Sequence, residues 1–375
     1  MLSFWERESL SKYDFIVVGA GIVGCSTAYH LKKRLPSADI AIIERGVFPS
    51  GASSKNAGFA CFGSLTELVD DKKGLDEEQQ VALVERRWKG LLALRHILGD
   101  KNIGFQRNGG FEIIRSAELS ALEYLDHYNQ LLKSVFNSNA YSLQPQLTEE
   151  FGFNGSEIET IVANPFEGQV DTGKMMKSWW ALCNEMGVKI ITGCELKDFE
   201  LENDHLRLSC ESAGQSFELK AGKMAICTNA FTGKWFSEED IIPGRGMAMV
   251  THPLKSLKFK GVFHYDEGYF YFRNIGDRVL IGGGRNLDKS TEHTTNFGIN
   301  PEIKAALLYD LKELILPKQD FSIDMEWSGI MAFGKTKSPI IKKVADRIAL
   351  GVRLGGMGVA IGSQVGQELQ ELLAD

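Results

Sequence analysis

Residues 14–45 read DFIVVGAGIVGCSTAYHLKKRLPSADIAIIER. An apolar run, Phe15 to Val18, meets glycines at Gly19, Gly21 and Gly24. A helical pattern follows, then a second apolar run that ends at Glu44. Strand, glycine loop, helix and strand in this order restrict the chain to few folds, because they spell the βαβ unit of a doubly wound parallel sheet. Gly19 permits the tight turn, Gly21 lets the backbone approach a pyrophosphate, and Gly24 lets helix and strand pack closely. The helix N-terminus offers free N–H groups and positive partial charge to phosphates. Glu44 stands twenty residues after Gly24, where a carboxylate accepts hydrogen bonds from ribose hydroxyls and repels a 2′-phosphate. Arg45 beside it softens that repulsion. The unit points to a dinucleotide with a free ribose, and by itself leaves NAD and FAD open.

Three further stretches bear on that choice. GASSKNAGF, residues 51–59, is small, polar and rich in backbone donors. Ser53, Ser54 and nearby N–H groups suit a pyrophosphate, while Lys55 and Asn56 suit an electron-rich ring; a plain polar surface loop has the same composition. ICTNAF, residues 226–231, ends a buried strand, and ligands of such sheets sit at strand carboxyl ends. Residues 353–373 form a second strand–glycine loop–helix unit. A second helix N-terminus suits the negative charge that a reduced flavin carries at its N1–C2=O edge. NAD gives no reason for it, although an ordinary helix with a glycine-rich start reads the same way.

Parallel-type elements thus lie at the start, middle and end of the 375 residues, with antiparallel-looking segments between them. Helices are expected at 78–98, 117–135 and 173–186, and strands at 109–115, 188–192, 223–230, 245–252, 268–274, 278–284 and 347–352. Gly276–Asp277 reads as a hairpin turn. Short alternating segments at 196–202, 205–211 and 215–220 read as a small antiparallel meander. The expected architecture is α/β: a discontinuous nucleotide domain with a second domain inserted twice.

Lys plus Arg number 42 and Asp plus Glu 49, a net charge of −7. That balance gives no electrostatic help in gripping nucleic acid or an anionic membrane. Six cysteines form no CxxC pair and seven histidines show no ligand spacing, so no metal site is expected and the thiols read as buried and free. No GxSxG is present. No run approaches the ~20 apolar residues that span a bilayer, and the start of the chain has no signal-like apolar core; a cytoplasmic protein is expected. NGS at 154–156 is a glycosylation sequon by pattern alone.

The motifs in their order resemble the D-amino-acid oxidase / glycine oxidase / sarcosine oxidase family of FAD-dependent oxidoreductases. The resemblance runs through DFIVVGAGIVGCSTAYHL, IIER with GASSKNAG, EGQVDTGKMMKSWWALCNEMGVKIITG, MAICTNAF, PGRGMAMV, GYFYFRNIGDRVLIGGG and the closing RLGGMGVAIGSQVG. It implies a glutathione-reductase-like Rossmann-type FAD domain of residues 1–90, 156–240 and 328–375. It also implies an α+β antiparallel-sheet substrate domain of residues 91–155 and 241–327. By position, Gly19, Gly21, Gly24, Glu44 and Arg45 would hold the ADP part. Ser53, Ser54, Lys55, Asn56 and Gly58 would lie along pyrophosphate and ring, Leu196 would meet adenine through its backbone, and Thr228 would sit near the phosphates. Gly356, Met357, Gly358 and Val359 would approach the pyrimidine side of the flavin. The implied chemistry is hydride transfer from a C–H beside an amine nitrogen to flavin N5, with hydrolysis of the imine. That chemistry needs no strong protein base.

Departures from the family pattern concern the substrate. Where amino-acid oxidases of this kind often place an Arg, the sequence reads WSGIMAFGKTKSP, with Met331 or a neighbour at that place. Residues 325–340 contain no Cys, so the FAD is expected to be non-covalent; Cys61, near the expected flavin, is a minor candidate for a covalent link. Ala360 replaces the Lys that assists oxygen reduction in sarcosine-type members, so the electron acceptor is oxygen or a quinone or carrier protein. In YFYFR, Tyr269, Tyr271 and Arg273 share a strand face by alternation, and Arg285 follows the paired strand. These four are the candidates for contact with a small amine or amino acid, with amphipathic sheet residues and solvated strand ends as the plain alternative. Arg245 reads as structural. The competing functions are an FAD-dependent 2-hydroxy-acid dehydrogenase with a non-oxygen acceptor, and a non-catalytic flavin-binding protein. The oligomeric state is not legible.

Overall fold

In the computed structural model, which describes residues 3–374, two eight-stranded sheets carry the chain. The first is built on Lys12–Val18, which pairs in parallel with Ile40–Glu44 on one side and Gln215–Ile226 on the other. Lys189–Thr192 extends it beyond Ile40–Glu44, and Ile348–Val352 extends it beyond Gln215–Ile226, both in parallel. The central strands read as continuous apolar runs because helices or the meander cover both faces, as parallel sheets require. Ile16, Val17, Ile40, Ile42, Ala349 and Leu350 are fully buried there.

Gln215–Ile226 does two jobs. Its first half pairs antiparallel with Leu206–Ser212, which pairs in turn with Glu195–Leu201, giving the meander expected from the alternation. Its second half enters the parallel sheet and ends at the ICTNAF loop. Helix Ile22–Arg34 packs against the last helix, Gly358–Ala374, so the two strand–glycine loop–helix units lie side by side.

The second sheet runs Ile323–Phe333, Ile242–Thr251, Arg278–Gly283, Phe270–Ile275, Val262–Tyr265, Gly110–Ile114, Thr160–Asn164, Ser142–Leu143. Only the Val262–Tyr265/Gly110–Ile114 pair is parallel. Two of its strands cross the boundaries expected at 155 and 327: Thr160–Asn164 and the eleven-residue Ile323–Phe333 belong here. Ile323–Phe333 runs into the first sheet's Ile340–Ala345 through a short turn, and Thr160–Asn164 reaches Lys189–Thr192 through helix Thr172–Glu185; neither connection carries a composition shift to mark a boundary. The stretch 117–135 is helical but broken into a 3₁₀ segment, Ser116–Tyr124, and two short α-helices.

One face of the second sheet is a phenylalanine core. Phe263 and Phe272 stack at 4.5 Å, and Phe259 and Phe153 close around them. Helix Pro301–Asp310 covers that face. Because side chains alternate, the residues between those phenylalanines face the other way, towards the glycine loops. Trp327, Ala248, Gly282, Tyr271, His264 and Glu112 occupy paired positions across six neighbouring strands and so form one row on that face.

Among the described residues no helix is long and apolar enough to cross a membrane. All six cysteines are free; five are buried and Cys227 is half-buried.

Candidate functional site

Between the first sheet's glycine loops and that row lies a cavity of about 900 Å³, at the upper end of the ~300–1,000 Å³ usual for ligand sites. It is one continuous space from Glu44 and Leu196 at one end to Tyr269, Tyr271 and Arg285 at the other.

The first glycine loop is built by close approach. Gly19 has φ +105°, a conformation that favours glycine. A Cβ on Gly24 would lie 1.9 Å from the Gly19 carbonyl oxygen. A Cβ on Gly21 would lie 2.6 Å from Ser53 Oγ, and that oxygen accepts the Ile22 N–H at 3.0 Å. Ser53 therefore already takes one donor of the helix N-terminus. Gly19, Gly21, Ile22 and Val23 line the cavity, while Gly24 sits behind them.

Glu44 is 5% exposed and lines the cavity. Its Oε1 accepts from the Gly46 N–H, the Ser50 N–H and the Ser50 hydroxyl, and its Oε2 accepts the Ala20 N–H at 3.1 Å. Among the described residues Oε2 thus takes a single donor from the protein and has room to accept a ligand hydroxyl. Arg45 stacks over the Phe231 ring at 3.9 Å and donates to Ser50 Oγ at 3.0 Å.

In the 51–59 loop the expected residues divide. Ser53, Lys55, Asn56 and Gly58 line the cavity. Ser54 does not: it is exposed, and its hydroxyl donates to the Pro49 carbonyl. The Asn56 amide works within the loop, donating to the Ala52 and Ser53 carbonyls and accepting from the Gly58 N–H at 2.8 Å and the Thr172 hydroxyl at 3.0 Å. Its side chain thereby shapes the loop. Lys55 accepts the Trp327 indole N–H on its carbonyl at 2.9 Å, which ties this loop to the second sheet.

Leu196 and Thr228 line the cavity, the latter sharing a 2.8 Å hydroxyl contact with Thr232. Gly356, Met357, Gly358 and Val359 line it as well. Their loop is held by Arg353, a non-glycine residue at φ +64°. Its guanidinium bonds Asp240, Thr336 and the Ser338 carbonyl, and its N–H bonds Asn229 Oδ1 at 3.0 Å. Sequence reasoning gave Arg353 no role; the only signal was its place at the head of the closing motif, two residues before Gly355.

On the second sheet, Tyr271 and Arg273 share a face as alternation required, and Tyr269 lies just before the strand. Tyr269, Tyr271 and Arg285 line the cavity; Arg273 does not. Its guanidinium lies behind Gly58, where a Cβ would meet Nη2 at 2.8 Å. Burial pulls its pKa down to about 10. Burial pushes the Tyr271 hydroxyl up to about 12, so it stays a donor. Arg285 stacks over Phe333 at 4.1 Å, and burial lowers its pKa. Among the described residues no carboxylate stands within salt-bridge distance of it. Arg245, by contrast, is paired in two bonds of 2.9 and 2.8 Å with the buried Glu292, a structural role.

Sequence reasoning missed a cluster. Cys61, His264 and Glu167 come from three distant stretches, and one ligand-type atom from each lies within 4.8 Å of the others. Cys61 and His264 line the cavity. No spacing rule connects residues 61, 167 and 264; only the alternation FHY, with His264 between Phe263 and Tyr265, hinted that this histidine faces the cavity.

A family model described as FAD dependent oxidoreductase matches residues 14–372. The chain is 25% identical over 268 residues to sarcosine oxidase subunit beta of Arthrobacter sp, covering 67% of this chain and 58% of the relative. It thus spans little more than half of that relative's length. It is 23% identical over 357 residues to glycine oxidase of Geobacillus kaustophilus, covering 92% of this chain and 88% of the relative. The crystal structure of glycine oxidase from Geobacillus kaustophilus superposes with a TM-score of 0.77 at 18% identity, over 97% of this chain and 95% of that one. L-2-hydroxyglutarate dehydrogenase of Caenorhabditis briggsae is 23% identical over 351 residues, 88% of this chain and 76% of the relative.

Proposed function

The chain belongs to the family of FAD-dependent oxidoreductases, and from that premise we propose that it oxidises the C–N bond of a small amine or amino acid. The cavity fits the cofactor on its own evidence. It is long and continuous, it begins at a glycine loop where a Cβ on Gly24 would fall 1.9 Å from the Gly19 oxygen, and Glu44 keeps an acceptor position free. FAD, when bound, accepts a hydride from the carbon beside the substrate nitrogen.

The chain's own residues hold and orient. Gly19, Gly21 and the start of helix Ile22–Arg34 cradle the pyrophosphate with Ser53, and Thr228 stands nearby. Glu44 binds ribose, and Leu196 borders the adenine. Gly356 to Val359 would hold the flavin's pyrimidine side, where the last helix's N-terminal dipole would favour negative charge. No cysteine stands at 325–340, and the cofactor is held without a covalent link.

The observation that carries the reading is the roof. Tyr269, Tyr271 and the unpaired Arg285 line the same cavity as the glycine loops, so a small substrate is fixed between them with its C–H towards the cofactor. Met331 lines the cavity in the region where related amino-acid oxidases often carry an Arg, and Arg285, beside Tyr269 and Tyr271, is the cation on the roof for an acidic substrate group. The amine must be neutral for hydride loss. The acceptor that reoxidises the enzyme is oxygen or a quinone or carrier.

Anaerobic mixing of holoprotein with a panel of sarcosine, glycine, L-proline and 2-hydroxyglutarate tests this. Loss of the flavin's visible band with an amine supports the reading. Loss with 2-hydroxyglutarate alone replaces it by hydroxy-acid oxidation, and loss with none removes it.

A further inference from the structure

The Cys61–His264–Glu167 cluster is built, not incidental. His264 stands in Val262–Tyr265, 7% exposed, with its ring in edge contact with Phe59 at 5.1 Å. Its Nε2 lies 3.6 Å from Glu167 Oε2, and that nitrogen has no hydrogen-bond partner in normal range. Glu167 is 2% exposed, and its other oxygen accepts the Phe62 N–H at 3.2 Å. It reaches the sheet through a gap that Gly110 leaves open: a Cβ on Gly110 would fall 2.1 Å from Oε2. The carboxylate is therefore pinned at one oxygen and directed at the imidazole with the other. Cys61 lies on the cavity side, its Sγ 4.0 Å from Met357 Sδ in the last glycine loop. Carboxylate, imidazole and cavity in that order is the arrangement of a base held by an orienting acid.

Other titratable groups around the ring do not compete. Tyr271 holds the paired position on one neighbouring strand, and burial keeps it protonated, with a pKa of about 12. Glu112 holds the paired position on the other. Burial raises Glu112 to about 7, but it is committed to the Leu65 and Thr66 N–H groups and the Thr66 hydroxyl, and it does not line the cavity. Burial pushes the Cys61 thiol up, although the imidazole beside it opposes that. Burial works against a charged His264, and Cys61 and Glu167 together outweigh it, so its pKa is raised and the ring is a neutral proton acceptor once pH exceeds that raised value.

A free amine with a pKa near ~10, like that of lysine, is mostly ammonium at neutral pH, and an ammonium cannot lose a hydride. Without a base, only about one substrate molecule in 10²–10³ would arrive in the reactive state. We propose that His264, positioned by Glu167, takes the proton of the bound substrate ammonium and makes the neutral amine inside the cavity. This rests on the amine reading above and adds the base that reading did not require. In the step, an N–H bond of the ammonium breaks and its electron pair stays on nitrogen. The proton bonds to the free ring nitrogen of neutral His264, Nδ1, because Nε2–H is directed at Glu167. The positive charge passes to the imidazole, where Glu167 balances it. His264 is the catalytic residue, and Glu167 the positioning one.

The test uses holoprotein of wild type, His264→Asn, His264→Ala and Glu167→Gln, each checked for full flavin content. Anaerobic flavin reduction by sarcosine is followed across pH. Wild type should reach its plateau below the pKa of free sarcosine. His264→Asn should lose about tenfold or more in the interval between the raised pKa of His264 and the pKa of free sarcosine, and recover as pH approaches the latter, and added imidazole should rescue His264→Ala. A His264→Asn profile that overlays wild type overturns the proposal. A second readout does not need turnover: NMR titration of ¹³C-labelled histidine, with the His264 signal assigned by its loss in His264→Asn. It should titrate above the ordinary imidazole range in wild type and fall in Glu167→Gln. A signal unmoved by Glu167→Gln overturns the pairing. Failure of every amine to bleach wild-type flavin sinks the parent reading, while the titration separately decides the pair.

Discussion

Replacing Gly24 with alanine sets two effects against each other. Gly24 lies in the first turn of helix Ile22–Arg34, and by helix propensity alone alanine there is worth up to ~1 kcal/mol. Its Cβ, however, would stand 1.9 Å from the Gly19 carbonyl oxygen and 3.2 Å from Val17 Cγ1. An ordinary contact begins near 3.4 Å, so helix and loop must part by about 1.5 Å. Neither side gives easily. Gly19 is held at φ +105° with its N–H on the Ile43 carbonyl at 2.8 Å, and Val17 is fully buried. Overpacking of this kind costs ~1–3 kcal/mol, which reverses the sign expected from propensity. Because the strained loop is the one that cradles the pyrophosphate, the cost should appear in cofactor affinity, as a ~5- to 150-fold rise in the FAD Kd. The assay is titration of apoprotein with FAD, followed by fluorescence quenching, beside urea unfolding of the same apoprotein. Gly74→Ala, where a Cβ meets nothing within 4 Å, is the control and should match wild type in both. Gly24→Ala with wild-type FAD affinity and unchanged or increased stability would refute the close-approach argument.

Arg285→Ala should raise KM for an acidic substrate by tenfold or more while leaving that of a simple amine unchanged, since a buried charge-assisted contact is worth ~1.5–3 kcal/mol; equal effects on both substrates would take Arg285 out of substrate contact. Gly90→Ala places a Cβ 2.1 Å from the Ala360 carbonyl and should part helices Glu77–Leu98 and Gly358–Ala374, lowering thermal stability by several degrees; a scan that overlays wild type would contradict that packing. His30 has its pKa lowered to about 4, chiefly by burial. The unfolded chain binds this proton near pH 6.5 and the folded chain only near 4, so stability is full above 6.5 and falls as pH drops through that window. His30→Asn should flatten the fall, and an equally steep urea-midpoint profile would show that other groups cause it. Asp240→Ala removes the acid that holds Arg353 at positive φ and should weaken FAD retention without changing the fold, checked by flavin content against far-UV circular dichroism.

The first sheet was legible because its determinants are local. Apolar runs of four or five residues, a glycine turn and a helix with period 3.6 sit next to one another in residues 14–45. The meander at 195–226 was legible for the same reason. Thr160–Asn164 and Ile323–Phe333 were not assigned to the second sheet, because strand pairing there joins residues far apart in the chain, as Ile113 with Ile161 and Gly246 with Gly329. No local pattern encodes such a partner. The same limit governs the site. Gly19, Gly21 and Glu44 could be placed because the turn they make is self-contained. Ser54 and Ser53 are neighbours of equal chemistry, and only the 3₁₀ turn at Ala52–Ser54 decides which faces the cavity. Arg273 shares a face with Tyr271 yet sits behind Gly58, a depth that alternation does not convey. Cys61, Glu167 and His264 meet only after both sheets have closed.

The central claim is that one cavity brings bound FAD and a small amine together. Its most direct measurement is the visible spectrum of purified holoprotein under anaerobic conditions, before and after addition of sarcosine, glycine or L-proline. The account predicts a flavin spectrum that bleaches with at least one of these amines and returns when an electron acceptor is admitted. A flavin spectrum that none of them changes, while 2-hydroxyglutarate bleaches it, would contradict it.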